Sequence, residues 1–64
     1  MSIKLTVPGM ACSACATNIT NAVKAIDSNA TVETDTTTKL VSVETQASET
    51  SIKEALVAAG YPPA

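Results

Sequence analysis

The sequence has almost no aromatic residues, since it contains no Trp, no Phe and a single tyrosine, Tyr61. With 45% of its 64 residues hydrophobic, the chain must build its core from Ala, Val, Ile, Leu and Met. Such a core lies near the lower size limit for a domain that folds alone. We therefore expect one domain over residues 1–64 without an elaborate catalytic cleft, and the initial Met1 favours a free-standing protein over a fragment of a transporter.

Arginine and histidine are absent as well, and the four lysines are scattered along the chain. The formal net charge is −2, whereas proteins that bind nucleic acids carry a basic surface. Without arginine or stacking aromatics, DNA and RNA are excluded as partners. No apolar run reaches membrane-spanning length, and the N-terminus does not resemble a signal peptide. The sequence therefore predicts no membrane insertion and a cytoplasmic location.

Only two cysteines are present, Cys12 and Cys15. A secreted disulfide framework would show more cysteines at wider spacing. We expect both to be free thiols in a reducing cytosol, where a Cys-x-x-Cys pair serves either metal binding or redox exchange.

Hydrophobic spacing predicts a strand followed by a helix in the first half of the chain. Ile3, Leu5 and Val7 alternate with polar residues, as in a strand with one buried face. Pro8 and Gly9 end this pattern, and a helix begins near Ser13. Its apolar stripe, at three- and four-residue steps, comprises Ile19, Ala22, Val23 and Ile26. A polar turn at residues 27–29 ends the helix.

Two short strands and a second helix are predicted in the second half. The strands cover about residues 30–35 and 39–44, and the threonines at 36–38 form the turn between them. Ser48 is a suitable N-cap for the second helix, and Gly60 is a typical stop. The apolar stripe of this helix comprises Ile52, Ala55, Leu56 and Ala59.

The predicted order is strand, helix, strand, strand, helix. It indicates an α+β, ferredoxin-like fold, in which two helices cover one face of an antiparallel sheet. Pro62 and Pro63 cannot both donate to a sheet, so the last strand should be vestigial. We expect the sheet edge beside it to be poorly covered.

The segment Gly9-Met10-Ala11-Cys12-Ser13-Ala14-Cys15 lies between the first strand and the first helix. This spacing lets both sulfurs point at one ion, and the positive end of the helix should lower the thiol pKa values, that of Cys15 especially. Two thiolates without histidine leave a tetrahedral zinc site two ligands short. Cu(I) accepts few soft ligands, so the pair favours copper.

Gly-Met-x-Cys-x-x-Cys after a strand, with a Gly-Tyr pair closing the second helix, resembles the heavy-metal-associated domain. Its members are copper chaperones and the N-terminal domains of copper-transporting P-type ATPases. The resemblance implies that Cys12 and Cys15 bind copper, that Met10 is buried beneath the metal loop, and that Tyr61 lies beside the site. Members that handle zinc or cadmium often carry an acidic residue where this chain has Ala11. The opening residues and the short tail are similar to cyanobacterial chaperones.

The resemblance further implies Cu(I) delivery by thiolate exchange to the soluble metal-binding domains of copper ATPases, with no enzymatic activity. A copper-dependent homodimer is expected at high concentration. Two alternatives stay open: a dithiol-disulfide oxidoreductase and a Zn(II)-binding member of the same family. Small or neutral residues beside the cysteines form the expected docking surface for a partner, namely Ala11, Ser13, Ala14, Thr17 and Asn18.

Overall fold

The computed structural model describes residues 2–64. It contains three strands and two helices in the predicted order: β1 (Ser2–Thr6), α1 (Ser13–Ile26), β2 (Thr31–Asp35), β3 (Leu40–Glu44) and α2 (Glu49–Ala58). Each boundary lies within two residues of its predicted position. None of the helices in residues 2–64 is long and apolar enough to cross a membrane.

The strands form one antiparallel sheet in the order β1-β3-β2. β3 is central, with Leu5 opposite Val41 on one side and Val32 opposite Val43 on the other. Alternate residues of β1 and β3 are buried, since both helices lie on one face of the sheet. The ferredoxin-like prediction is confirmed. The buried cluster comprises Ile3, Leu5, Val7, Met10, Ile19, Val23, Ala30, Val41, Val43, Ile52 and Leu56.

Two residues assigned to the apolar stripes were predicted wrongly. Ile26 is 48% exposed because it is the last residue of α1 and has no following turn beside it. Ala59 is exposed as well, and it is the C-cap that follows α2 rather than part of the buried face. The pattern of each helix is therefore correct in the middle and fails at the C-terminal end.

The polar turn after α1 is confirmed and is organised by Asp27. One carboxylate oxygen accepts the backbone N–H of Asn29 at 3.0 Å. The other accepts the Thr45 hydroxyl at 2.6 Å and the Gln46 N–H at 3.2 Å. These donors, the Thr45 hydroxyl above all, hold the pKa of Asp27 below its usual value. The turn thereby ties the end of α1 to the segment that leads into α2.

No fourth strand is present in the part of the chain that the structure describes. The tail instead makes one ladder-like bond, in which the Ala64 N–H donates to the Thr6 carbonyl at 2.7 Å. Pro62 and Pro63 have no N–H groups to extend it. The vestigial last strand is confirmed, and it touches the outer edge of β1.

Candidate metal centre

The loop that carries the cysteines is anchored by a tight turn from Val7 to Met10. The Met10 N–H donates to the Val7 carbonyl at 3.0 Å, and Pro8 and Gly9 occupy the corner. Both ends of the turn are fully buried in the core. Met10 thus lies in the core immediately before the cysteine loop, and the chain emerges at Ala11.

The two cysteines occupy the N-cap and N3 positions of α1. Cys12 is the N-cap, with extended φ of −152° and ψ of 170°, and Cys15 is the third helical residue. Side chains at these two positions meet at a helix start, as they do in a capping box. Their sulfurs lie 3.1 Å apart, well beyond the about 2.0 Å of a disulfide. Cys12 is exposed and Cys15 half-buried, and both are free thiols.

The start of α1 lacks the side-chain groups that usually satisfy the free backbone N–H groups of a helix. The Cys12 side chain makes no capping hydrogen bond, and the first turn holds no acidic residue. The first N–H groups of a helix have no partner within the helix and carry its positive end. This positive end therefore faces the two sulfurs, a setting that favours thiolates.

The conformation of the chain at the end of α2 places Tyr61 beside the site. Gly60 has a positive φ of 90°, and its N–H donates to the Val57 carbonyl, while the Tyr61 N–H donates to that of Leu56 at 2.8 Å. These bonds form a Schellman motif, which Gly permits because it lacks a Cβ. A Cβ built on Gly9 would lie 3.9 Å from the ring of Tyr61, so the ring packs beside the metal loop.

Cys15 is surrounded by hydrogen-bond donors. The Tyr61 hydroxyl, followed by the Cys12 side chain and the Ala11 backbone, lowers the pKa of the Cys15 thiol to about 7. The sequence predicted the direction of this shift but attributed it to the helix end, whereas the largest cause is Tyr61. The same bond to Cys15 raises the pKa of Tyr61.

A second polar contact orients the tyrosine. The Asn18 side-chain amide donates to the Tyr61 hydroxyl oxygen at 3.2 Å, which leaves the hydroxyl proton free to donate to Cys15, the interaction that shifts the pKa of both groups. Asn18 was predicted only as part of a docking surface, so its contact with Tyr61 was missed. All five residues of the predicted docking surface are exposed around the cysteine pair.

Lys39 is the other residue that sequence reasoning missed, since the four lysines form no pattern along the chain. It ends the turn between β2 and β3 with a positive φ of 65°, unusual for a residue other than Gly, Asn or Asp. Its ammonium donates to the Met10 carbonyl at 3.0 Å. A lysine where hairpins favour Gly was the available clue.

Within residues 2–64 no group of three or more His, Cys, Asp or Glu side chains gathers at one place. The cysteine pair thus offers two protein ligands, both thiols. Such a site suits a soft metal ion of low coordination number and leaves room for a ligand from another molecule.

The chain is similar to known metal-handling proteins along nearly its whole length. The copper chaperone Atx1 from Synechocystis PCC6803, in a trimeric form with a histidine-to-tyrosine substitution, is 42% identical, with 97% of this chain and 98% of that one covered and a TM-score of 0.95. A cyanobacterial copper metallochaperone, ScAtx1, is 41% identical with full coverage of both chains and a TM-score of 0.82. A gold binding protein is 42% identical, with 94% and 92% covered and a TM-score of 0.91.

No curated protein sequence matches this chain. The sequence model of the Heavy-metal-associated domain, in contrast, matches residues 4–62. That range contains both cysteines, Met10 and Tyr61. Together with the solved chaperone structures, this match supports a metal-chaperone function, and the chain belongs to the heavy-metal-associated domain family.

Proposed function

We propose that this protein is a non-enzymatic cytoplasmic Cu(I) carrier that holds one ion between Cys12 and Cys15. The observation that carries the proposal is the convergence of the two sulfurs, 3.1 Å apart, at the uncapped start of α1. Thiolates prefer soft metal ions, and Cu(I) is satisfied by two of them. The likeness to copper chaperones and to a gold binding protein agrees with a soft-metal site.

Delivery follows from the exposure of the pair. Cys12 is exposed, and small or neutral side chains surround it. A third thiolate from a partner can therefore bind the copper before Cys12 or Cys15 leaves, so that no free ion is released. The partners we propose are the soluble metal-binding domains of copper-transporting P-type ATPases, which present a Cys-x-x-Cys pair of their own. The five exposed residues around the pair would form the docking surface.

Anaerobic titration of the reduced protein against a Cu(I) chelator tests the metal assignment. We expect about one Cu(I) per chain and much weaker binding of Zn(II), because two thiolates fill only half of a tetrahedral zinc shell. The Cys12→Ser, Cys15→Ser variant should keep its circular dichroism spectrum and lose the copper. Tighter binding of zinc, or copper retained by the double variant, would refute the assignment.

The redox alternative predicts a different activity from the same dithiol. A dithiol oxidoreductase reduces a substrate disulfide while its own cysteines form one. We expect the metal-free protein to reduce insulin no faster than free dithiothreitol at equal thiol concentration. Fast insulin reduction together with weak copper binding would favour the oxidoreductase.

Copper sharing between two copies is tested by the oligomeric state. Two facing pairs supply four thiolates, so copper-loaded protein should run partly as a dimer and metal-free protein as a monomer. Ala14→Lys places a bulky charge beside the pair and should abolish the dimer while copper still binds. Ala58→Lys, at an exposed position of α2, is the matched control and should leave the copper-dependent dimer intact. Light scattering that shows equal association with and without copper would exclude a shared site.

A further inference from the structure

Lys39 joins the β2–β3 turn to both ends of the turn that begins the metal loop. Its backbone carbonyl accepts the Val7 N–H at 2.8 Å, and its ammonium donates to the Met10 carbonyl at 3.0 Å. Val7 and Met10 are the first and last residues of that turn. One residue, 29 positions from Met10 in sequence, therefore holds both ends in place.

The Met10 carbonyl belongs to the same peptide group as the Ala11 N–H, and Cys12, the first cysteine of the pair, directly follows Ala11. A single planar peptide thus connects the carbonyl that the Lys39 ammonium holds with the residue that precedes the cysteine pair. A cation at a carbonyl oxygen polarises the peptide and makes its N–H a stronger donor. It also fixes the orientation of the peptide plane, and hence the direction of the N–H.

We propose that Lys39 is a positioning residue for the metal centre, acting through the Met10–Ala11 peptide to fix the direction in which the chain leaves the core and enters Cys12. This inference rests on the proposed Cu(I) binding at Cys12 and Cys15. Two sulfurs bind one Cu(I) only when the loop holds them side by side, and a loop with both ends of its first turn fixed loses less conformational entropy when the ion binds. The lysine thereby favours the copper-loaded state without touching the metal.

The backbone of Lys39 supports a role for its side chain. A φ of 65° lies in the left-handed region, where Gly or Asn meets less steric conflict than lysine. Lys39 is also half-buried, although its neighbours in the turn, Thr37 and Thr38, are exposed. A turn selected only for its shape would be served by glycine, whereas only a long cationic side chain reaches the Met10 carbonyl.

Four variants separate this role from a contribution to folding. Lys39→Met keeps the aliphatic stem and removes the donor, and Lys39→Arg keeps a donor. Lys39→Gly removes the side chain and relaxes the turn. Lys24→Met removes the same charge from the far end of α1 and is the matched control. For each variant we would measure Cu(I) affinity by chelator competition, the urea midpoint of the metal-free protein, and the Ala11 amide proton shift and exchange rate by NMR.

We expect Lys39→Met and Lys39→Gly to bind Cu(I) about 10-fold more weakly than the unaltered protein, the lower end of the range for lost outer-shell partners of metal ligands, because Lys39 acts through one intervening peptide. Lys39→Arg should recover most of the affinity, and Lys24→Met should match the unaltered protein. Lys39→Gly should unfold at a urea concentration no lower than Lys39→Met, which separates copper affinity from stability. In both weakened variants the Ala11 amide proton should shift upfield and exchange faster.

Equal copper affinity in Lys39→Met and Lys24→Met would overturn the inference, as would Lys39→Gly binding copper like the unaltered protein. If the unaltered protein fails to bind Cu(I), the proposed function fails instead. The Ala11 amide of the metal-free variants then decides the inference separately, and an unchanged amide in Lys39→Met would refute it.

Discussion

The two helices of this protein begin with the same spacing of equivalent side chains and use it differently. Cys12 and Cys15 are the N-cap and N3 residues of α1, and Ser48 and Ser51 hold the same positions in α2. The paired atoms are almost equally close, 3.1 Å between the sulfurs and 3.0 Å between the hydroxyl oxygens. Both N-caps are extended, although φ is −152° at Cys12 and −74° at Ser48. The N-cap and N3 spacing thus brings the paired atoms together at both helix starts, and the side-chain atoms decide what each pair does.

The start of α2 supplies its own capping groups. The Ser48 hydroxyl accepts the Ser51 N–H at 3.1 Å, and Glu49 lies in the first turn, where a negative charge is favourable. Glu49 also pairs with Lys53 at 3.0 Å across an exposed surface, a contact of small energetic value. At α1 neither device is present. One helix start contributes to stability, and the other keeps its N–H groups and positive end available for thiolates.

The sharpest test of this comparison moves the cysteine pair from α1 to α2. In a Cys12→Ser, Cys15→Ser background, Ser48→Cys and Ser51→Cys should restore Cu(I) binding, because the N-cap and N3 positions again bring two sulfurs together. The affinity should stay about 10- to 100-fold below that of the unaltered protein, since no Tyr61 hydroxyl reaches the new site. Chelator competition under anaerobic conditions measures both values.

The single variant Ser48→Cys in the same background is the control and should hold no copper in the competition. If the transplanted pair binds copper as tightly as the original, the surroundings of Cys15 contribute nothing. If it binds none, the N-cap and N3 geometry is insufficient on its own.

The contribution of Tyr61 is measurable without copper. Tyr61→Phe keeps the ring beside Gly9 and removes the hydroxyl, so the pKa of Cys15 should rise from about 7 toward the ordinary thiol value. The sign follows because the lost hydrogen bond favours the thiolate. At neutral pH a smaller fraction of Cys15 is then reactive. The pH dependence of iodoacetamide labelling at Cys15, located by mass spectrometry, checks this shift.

Thr17→Val provides the comparison for that experiment. The Thr17 hydroxyl lies near the site but donates to the Ser13 carbonyl at 3.1 Å. Its removal should leave the labelling profile unchanged. A profile that moves equally in both variants would point to a general disturbance of α1 rather than to the bond from Tyr61.

Removal of the α2 cap should have a smaller effect, and this effect should be on stability alone. Ser48→Ala removes the acceptor for the Ser51 N–H, so the free energy of unfolding should fall by about 1 kcal/mol. In a domain of this size that corresponds to a loss of about 4–8 °C in Tm. Thermal unfolding followed by circular dichroism measures it, with Thr50→Ala, an exposed residue of the same turn, as the control. Equal losses in both variants would show that the cap is not responsible.

Features that depend on neighbours in sequence were predictable. Ser48 as a cap and Gly60 as a stop were identified because each acts on the residues next to it. The cysteine spacing likewise revealed the convergence of the sulfurs, since the start of a helix alone fixes it. Local chemistry thus predicted most of the fold and the centre of the candidate site.

The partners of the cysteines were harder to predict because the fold brings them from distant parts of the chain. Lys39 reaches the metal loop from the β2–β3 turn, and Tyr61 meets Asn18 across 43 residues. No spacing rule indicates such contacts. The proximity of Tyr61 was expected only from family resemblance, and the exposed Ile26 shows that helical periodicity does not reveal where a covering element ends.

The smallest expected effect tests whether α1 gives up stability for its site. Cys12 already has the extended backbone of an N-cap, so Cys12→Ser would place a hydroxyl where the Cys15 N–H can donate to it, as the Ser51 N–H does to Ser48. The reduced, metal-free variant should gain about 0.5 kcal/mol in unfolding free energy while it loses stable copper retention. Cys15→Ser makes the same atom change at N3, where no cap is formed, and should leave stability nearly unchanged. Urea unfolding of both variants measures the difference. Equal midpoints for the two variants would show that the start of α1 has no unused capping capacity, and that the contrast with α2 lies only in the metal-binding atoms.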